Sequence, residues 1–201
     1  GIKLPPDLLR ELHRERYLPG WGPFVRELHQ RIDQQEFEDC YQKELAMMWK
    51  ENNDVIETLL ERTEAIGSQL RQMDLELVLC HADIHTANVL VTPDQQMFIV
   101  DWDGILLAPK ERDLKFVLEG NTIRTQEEQM CFDGYGNRTL DSLALAYYRY
   151  EWCVQEIGDY GNRVFSMDMG ERTKQGSVAE FRKLFSPTDV IQAALNSPLG
   201  I

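Results

Sequence analysis

Residues 77–103 read LVLCHADIHTANVLVTPDQQMFIVDWD, and the fold is decided there. LELVLC, NVLVT and MFIVDW are short apolar runs rich in Val, Leu and Ile. Pro93-Asp94-Gln95-Gln96 has turn chemistry, so NVLVT-PDQQ-MFIVD reads as a β-hairpin. An Asp stands at 83, an Asn five residues later at 88, and a second Asp thirteen residues after that at 101. A hairpin folds its two ends back toward each other, which brings Asn88 and Asp101 to one end of it.

Outward from this β element the pattern is helical on both sides. Pro5-Pro6-Asp7 opens a helix that DLLRELHRER continues to the Pro19-Gly20 break. A second helix runs from Pro23 through Phe24, Leu28 and Ile32. Residues 36–73 carry apolar positions at helical spacing, interrupted at Asn52-Asn53-Asp54, which predicts two helices. After Pro109, ERDLKFVLEG is helical to Gly120. Residues 121–137 read as loop with a short helix at Gln126–Phe132. Leu140–Ile157 is a strong helix, 158–176 is poorly patterned, and Val178–Phe185 and Thr188–Leu195 close the chain. The expected fold is mainly α with a small central β-hairpin, one domain over 1–201. It divides into a helical part at 1–73, the loop and hairpin at 75–103, and a second helical part at 109–201.

Composition narrows the partners. With 21 Lys and Arg against 34 Asp and Glu, the net charge of −13 opposes binding to a phosphate backbone, so no nucleic-acid partner is expected. It permits a cationic small molecule drawn to an acidic cleft, although acidic surface also serves solubility alone. No apolar run reaches the ~18 residues of a membrane span, and none is expected to enter a bilayer. Cys40, Cys80, Cys131 and Cys153 are scattered with no CxxC pair, which fits reduced thiols in the cytoplasm.

The three polar residues suit phosphoryl transfer. A hydroxyl that attacks a phosphate needs a carboxylate to orient it and accept its proton, and Asp83 follows a strand in a loop where it can be presented. Mg²⁺ takes carboxylate and amide oxygens, which Asp101 and Asn88 offer. H-x-D-x-x-x-x-N at 81–88, followed by apolar residues and Asp101, has the spacing of a kinase catalytic loop and its metal-binding Asp.

HADIHTANVL and IVDWD resemble the motif of the aminoglycoside phosphotransferases and their kin, the choline, homoserine and methylthioribose kinases. The resemblance is closest to the spectinomycin-phosphotransferase-like branch. It extends to ILLAPKERDLKFV after Asp103 and to GYG and LALAYYRYE within 134–151. It implies a protein-kinase-like fold, ATP or another nucleoside triphosphate, and phosphorylation of a small-molecule hydroxyl, with an aminoglycoside-like or other amine-bearing substrate favoured. Asp83 then matches the catalytic base, and Asn88 and Asp101 match the ligands of Mg²⁺. Ala87 departs from the Gly that the family often carries, and Asp103 stands where protein kinases have the Gly of D-F-G.

The resemblance also implies a nucleotide grip built from a Gly-rich hairpin, a strand Lys and a helix Glu. No G-x-G-x-x-G occurs here, the first β-like run comes at residue 75, and the first residue is not Met. The expectation is a C-terminal catalytic lobe without its β-rich N-terminal lobe, inactive alone and open to self-association through the surface that lobe would cover.

Other residues carry weaker expectations. His81 and His85 read as braces of the loop. Asp113 reads as a helix-start carboxylate tied back to it, and Tyr147, Tyr148, Tyr150 and Trp152 read mostly as helix packing. Three rival functions remain open. His81, Asp83 and His85 alternate and would share one strand face as the ligands of a metal-dependent hydrolase. Asp101-x-Asp103 would suit a glycosyltransferase. A kinase-like lobe retained only for binding is the third.

Overall fold

The computed structural model describes residues 10–115, 130, 132–136, 139–187 and 189–197. Helix α1 spans Gly22–Gln34 with Pro23 in its first turn, where the missing N–H costs nothing, and buries Val25, Leu28 and Ile32. Helices α2 (Cys40–Glu51) and α3 (Asn53–Leu70) meet at Asn52. Asn52 closes one helix by donating its side-chain amide to Met48 O at 2.8 Å. It opens the next by accepting the N–H of Val55 and Ile56 on its own carbonyl. The break expected at Asn52-Asn53-Asp54 is therefore a junction in which a single residue serves both helix ends.

The hairpin forms as read. Strands β2 (Val89–Val91) and β3 (Met97–Ile99) pair antiparallel with Val89 opposite Ile99, Leu90 opposite Phe98 and Val91 opposite Met97. A second sheet accompanies it: β1 (Val78–Cys80) pairs antiparallel with β4 (Leu106–Ala108).

That second sheet overturns part of the first helix expectation. Among the described residues of that stretch only 10 and 11 are helical, and 13–19 form no helix. The free edge of β4 draws it in: Glu15 N–H donates to Leu107 O at 2.9 Å, and Leu107 N–H donates to His13 O at 2.8 Å. Helical propensity in ELHRER loses to a strand edge that has unpaired backbone groups.

Helix α4 is short (Glu111–Leu114), and α5 runs Ser142–Phe165, capped by Asp141, whose side chain accepts the Ala144 N–H at 2.8 Å. Helices α6 (Glu171–Leu184) and α7 (Val190–Leu195) complete the chain. The expected continuation over 116–120 lies outside the described residues, as do 126–129 and 131 of Gln126–Phe132 and the chain before residue 10.

Helix α5 is the hub, packed by α1, α2, α3, α4, α6 and α7. Its Tyr147, Tyr148 and Tyr150 are buried, as packing residues would be, and their burial raises the pKa of the Tyr147 and Tyr148 phenols. The stretch from 158 looked unpatterned because two glycines replace apolar side chains on the packed face. A Cβ on Gly158 would sit 2.6 Å from Trp21 Cε3, and one on Gly161 2.6 Å from Leu28 Cδ2. The helix continues through both glycines because α1 lies against them. No helix among the described residues is long and apolar enough to cross a membrane.

Candidate active site

The loop between β1 and β2 is held from below. The Asp113 carboxylate, on α4, accepts the N–H of His81 at 2.9 Å and of Ala82 at 2.7 Å. This pair of bonds offsets the strain of Ala82, whose φ of 75° lies in the left-handed region at a cost of about 1 kcal/mol or more. The role read for Asp113 is the role it has.

His81 is 2% exposed. Its Nδ1 accepts the Asp83 N–H at 3.3 Å, and its Nε2 lies 2.9 Å from Val100 O, so the ring proton is assigned to Nε2 as the donor. The ring also meets Trp102 edge-on at 4.6 Å between centroids. His81 thus ties the loop to the end of the hairpin. His85 braces the other end of the loop, its Nδ1 accepting the Ala87 N–H at 3.2 Å.

Asp83 and Asn88 come into direct contact. The Asn88 side-chain amide donates to Asp83 O at 2.9 Å and to Asp83 Oδ2 at 3.3 Å. His85 Nε2 is 3.5 Å from the same carboxylate oxygen. Asp83 Oδ1 accepts no bond from a described residue, and its side chain is 46% exposed. Asn88 closes a 3₁₀ turn (Thr86–Asn88), and its carbonyl accepts the Val100 N–H at 3.0 Å. That bond extends the hairpin one step past β3 and delivers Asp101 to the Asn88 end.

Asp101 itself sits at φ 65°, ψ 61°, at the entry to a second 3₁₀ turn (Trp102–Gly104). It is exposed and bonds to neither Asp83 nor Asn88. Asp103 is exposed in that turn.

The donor chemistry fits a hard cation. The Asn88 side-chain nitrogen faces Asp83 and lies 3.4 Å from His85 Nε2; among the described residues its side-chain oxygen accepts no bond, and neither does the Asp101 carboxylate. Amide and carboxylate oxygens left free at one hairpin end are the donors Mg²⁺ prefers.

The hydrolase arrangement of His81, Asp83 and His85 does not form. These residues lie in a loop rather than on one strand face, and both ring nitrogens of His81 are engaged in the scaffold. Among the described residues no group of three His, Cys, Asp or Glu side chains is placed to hold a metal.

Alongside the loop opens a cleft of about 1320 Å³. Ile84, His85 and Thr86 form one wall, and Trp152, Glu156 and Tyr160 of α5 form another. Nearby, Lys115 is buried against Trp152, its Nζ 4.8 Å from the ring centroid. Burial, then repulsion from Arg112, brings its pKa down to about 8 against the opposing pull of Glu151, Asp83 and Asp113. Glu156, Tyr160 and Lys115 were not read as site residues. The signal available was the i, i+4, i+8 spacing of Trp152, Glu156 and Tyr160, which places all three on one helix face. The expected helix end at Ile157 excludes Tyr160, whereas the helix runs on to Phe165.

The scaffolded loop, the hairpin that returns an Asp to it and the helices packed around them make up a kinase-like fold. Residues 4–151 match the sequence model of APH, the phosphotransferase enzyme family, and the chain belongs to that family. It is similar to the spectinomycin phosphotransferase APH(9)-Ia solved in complex with ADP and spectinomycin, at 33% identity and a TM-score of 0.85, covering 97% of this chain and 60% of that one. The AMP-bound complex of that enzyme matches at 33% identity and a TM-score of 0.82, covering 97% and 61%. The chain therefore spans less than two thirds of the length of these solved proteins.

Proposed function

We propose that these residues carry the catalytic chemistry of an ATP-dependent phosphotransferase acting on a hydroxyl of an amine-bearing small molecule. The observation that carries the reading is the Asp83–Asn88 contact joined to the hairpin bond between Asn88 O and Val100 N. These group a free carboxylate oxygen, a free amide oxygen and the Asp101 carboxylate around one end of the hairpin.

A substrate hydroxyl in the cleft donates to Asp83 Oδ1, which orients the oxygen toward the terminal phosphorus. As the new O–P bond forms and the bond to the leaving ADP oxygen breaks, the hydroxyl proton passes to Asp83. Asn88 keeps the carboxylate in place by its bond to Oδ2, and His81 fixes the backbone beneath it. Asn88 Oδ1 and the Asp101 carboxylate would hold Mg²⁺, which when bound neutralises charge on the phosphate oxygens. The ADP and AMP of the solved neighbours support a nucleotide as phosphate donor. The Gly-rich grip on that nucleotide would be supplied by an N-terminal lobe outside these 201 residues.

Paramagnetic relaxation by Mn²⁺ in place of Mg²⁺ tests the metal ligands without turnover. Broadening centred on the Asn88 end of the hairpin, weakened by Asn88→Ala and by Asp101→Ala, is expected. Broadening unaffected by either change would refute the assignment.

A further inference from the structure

Helix α4 is four residues long, too short to hold its place through internal hydrogen bonds, so its position is set by what its side chains grip. Its three charged residues each grip a different part of the chain. Glu111 Oε1 accepts the Asp141 N–H at 2.9 Å, at the start of α5. Asp113 accepts the loop amides of His81 and Ala82. Arg112 lies between two carboxylates, its Nη1 3.1 Å from Glu151 Oε2 on α5 and 3.6 Å from Glu15 Oε2. The side chains of Arg112, Glu15 and Glu151 are at most 15% exposed. The guanidinium lies 5.2 Å from the centroid of the buried Tyr148 ring.

Glu15 belongs to a segment that is itself fixed. Its Oε1 accepts the N–H of Arg16 and of Tyr17, each at 2.8 Å, while its backbone joins the edge of β4. Tyr17 is buried at φ 51°, a left-handed conformation that a bulky residue keeps only where its surroundings impose it. They do so here. Arg71 Nη1 donates to Tyr17 O at 2.7 Å, and the ring meets Tyr147 edge-on at 5.5 Å. A Cβ on Gly67 would lie 2.5 Å from Tyr17 O, so α3 has a glycine where that carbonyl arrives.

Resting on the phosphotransferase reading above, we propose that Arg112 is a positioning residue for phosphoryl transfer: it ties α4 to the 13–17 segment through Glu15, and Asp113 passes that placement to the loop that presents Asp83. The segment leads back along the chain toward the proposed nucleotide-gripping lobe. The stretch nearest that lobe and the catalytic loop therefore move as one unit, joined through a single guanidinium. Removing Arg112 would leave two carboxylates buried without a cation, so the informative change is at Glu15. Glu15→Gln keeps the oxygen that serves Arg16 and Tyr17 and removes the charge that faces Arg112.

The test uses the complete protein carrying these residues, with amide hydrogen exchange and steady-state transfer from ATP to spectinomycin. In Glu15→Gln the His81 and Ala82 amides should exchange about 3–30-fold faster while those of α6 keep their rates. The kcat should fall by a similar factor with KM within about twofold, the range for residues that couple two sites without touching either ligand. Glu64→Gln, which breaks the exposed 2.8 Å pair with Arg26, should change neither. In an Asp113→Ala background, where the link to the loop is already cut, Glu15→Gln should add less than about twofold. Loop amides unmoved in Glu15→Gln, acceleration shared equally by α6, a full effect in the Asp113→Ala background, or selective loosening with kcat unchanged would each overturn the proposal. Absence of ATP-dependent transfer in the unsubstituted complete protein would instead overturn the phosphotransferase reading, and the link between Glu15 and the loop would still stand or fall on exchange.

Discussion

Asp113→Ala should loosen the catalytic loop without touching it. The carboxylate is the acceptor for two consecutive backbone amides at 2.9 and 2.7 Å, and among the described residues neither His81 N nor Ala82 N bonds to another acceptor. An amide left without a partner costs about 1–3 kcal/mol when buried, toward the lower end where water can enter, as at this half-buried carboxylate. The left-handed turn at Ala82 then loses its support. The strain is common to both proteins, so the two amides set the difference, a loss of about 2–4 kcal/mol toward the lower end of their range. Asp113→Asn keeps one acceptor oxygen and should cost about half as much, since the second amide then faces an NH₂ group. Urea denaturation measures the stability, and native-state hydrogen exchange reports the two amides individually. A shift below about 0.5 kcal/mol in Asp113→Ala, with both amides still protected, would refute the reasoning; that is the ordinary scatter of a surface substitution.

Two further changes probe packing and titration. Gly158→Ala puts a methyl 2.6 Å from Trp21, an overpacking cost of about 1–3 kcal/mol that exceeds the ~1 kcal/mol gained in helix propensity. Gly176→Ala on α6, with nothing within 4 Å, should instead stabilise by about 0.5–1 kcal/mol, and thermal denaturation of the pair separates the two effects. Burial pushes the Cys80 thiol up from 9.0 to about 12, so the folded state holds its proton longer than the unfolded state does. Its contribution to stability is complete below pH 9 and is lost between pH 9 and 12, with a slope of at most about 1.4 kcal/mol per pH unit. Denaturation across that window should be shallower in Cys80→Ala; an unchanged slope would contradict the assignment.

The parts of the fold legible in the sequence were those set by local chemistry. Asn52 ended and began helices because its side chain and carbonyl can serve both, and the 93–96 turn fixed the hairpin register. What could not be read depended on partners distant in sequence. Residues 13–15 became extended because β4, more than ninety positions away, offered them an edge. Helix α5 outran its apparent end because its glycines face Trp21 and Leu28, and their role is invisible until α1 is placed against them. The loop residues were named from spacing, and Asp83 and Asn88 do touch.

The central claim is that Asp83 accepts the proton of a substrate hydroxyl during transfer from ATP. In the complete protein carrying these residues, ATP-dependent phosphorylation of spectinomycin should fall by about 10²–10⁴ in Asp83→Asn, the usual range for loss of a general base, with KM for the amine little changed. Transfer undiminished in Asp83→Asn, or product formed without ATP, would contradict it.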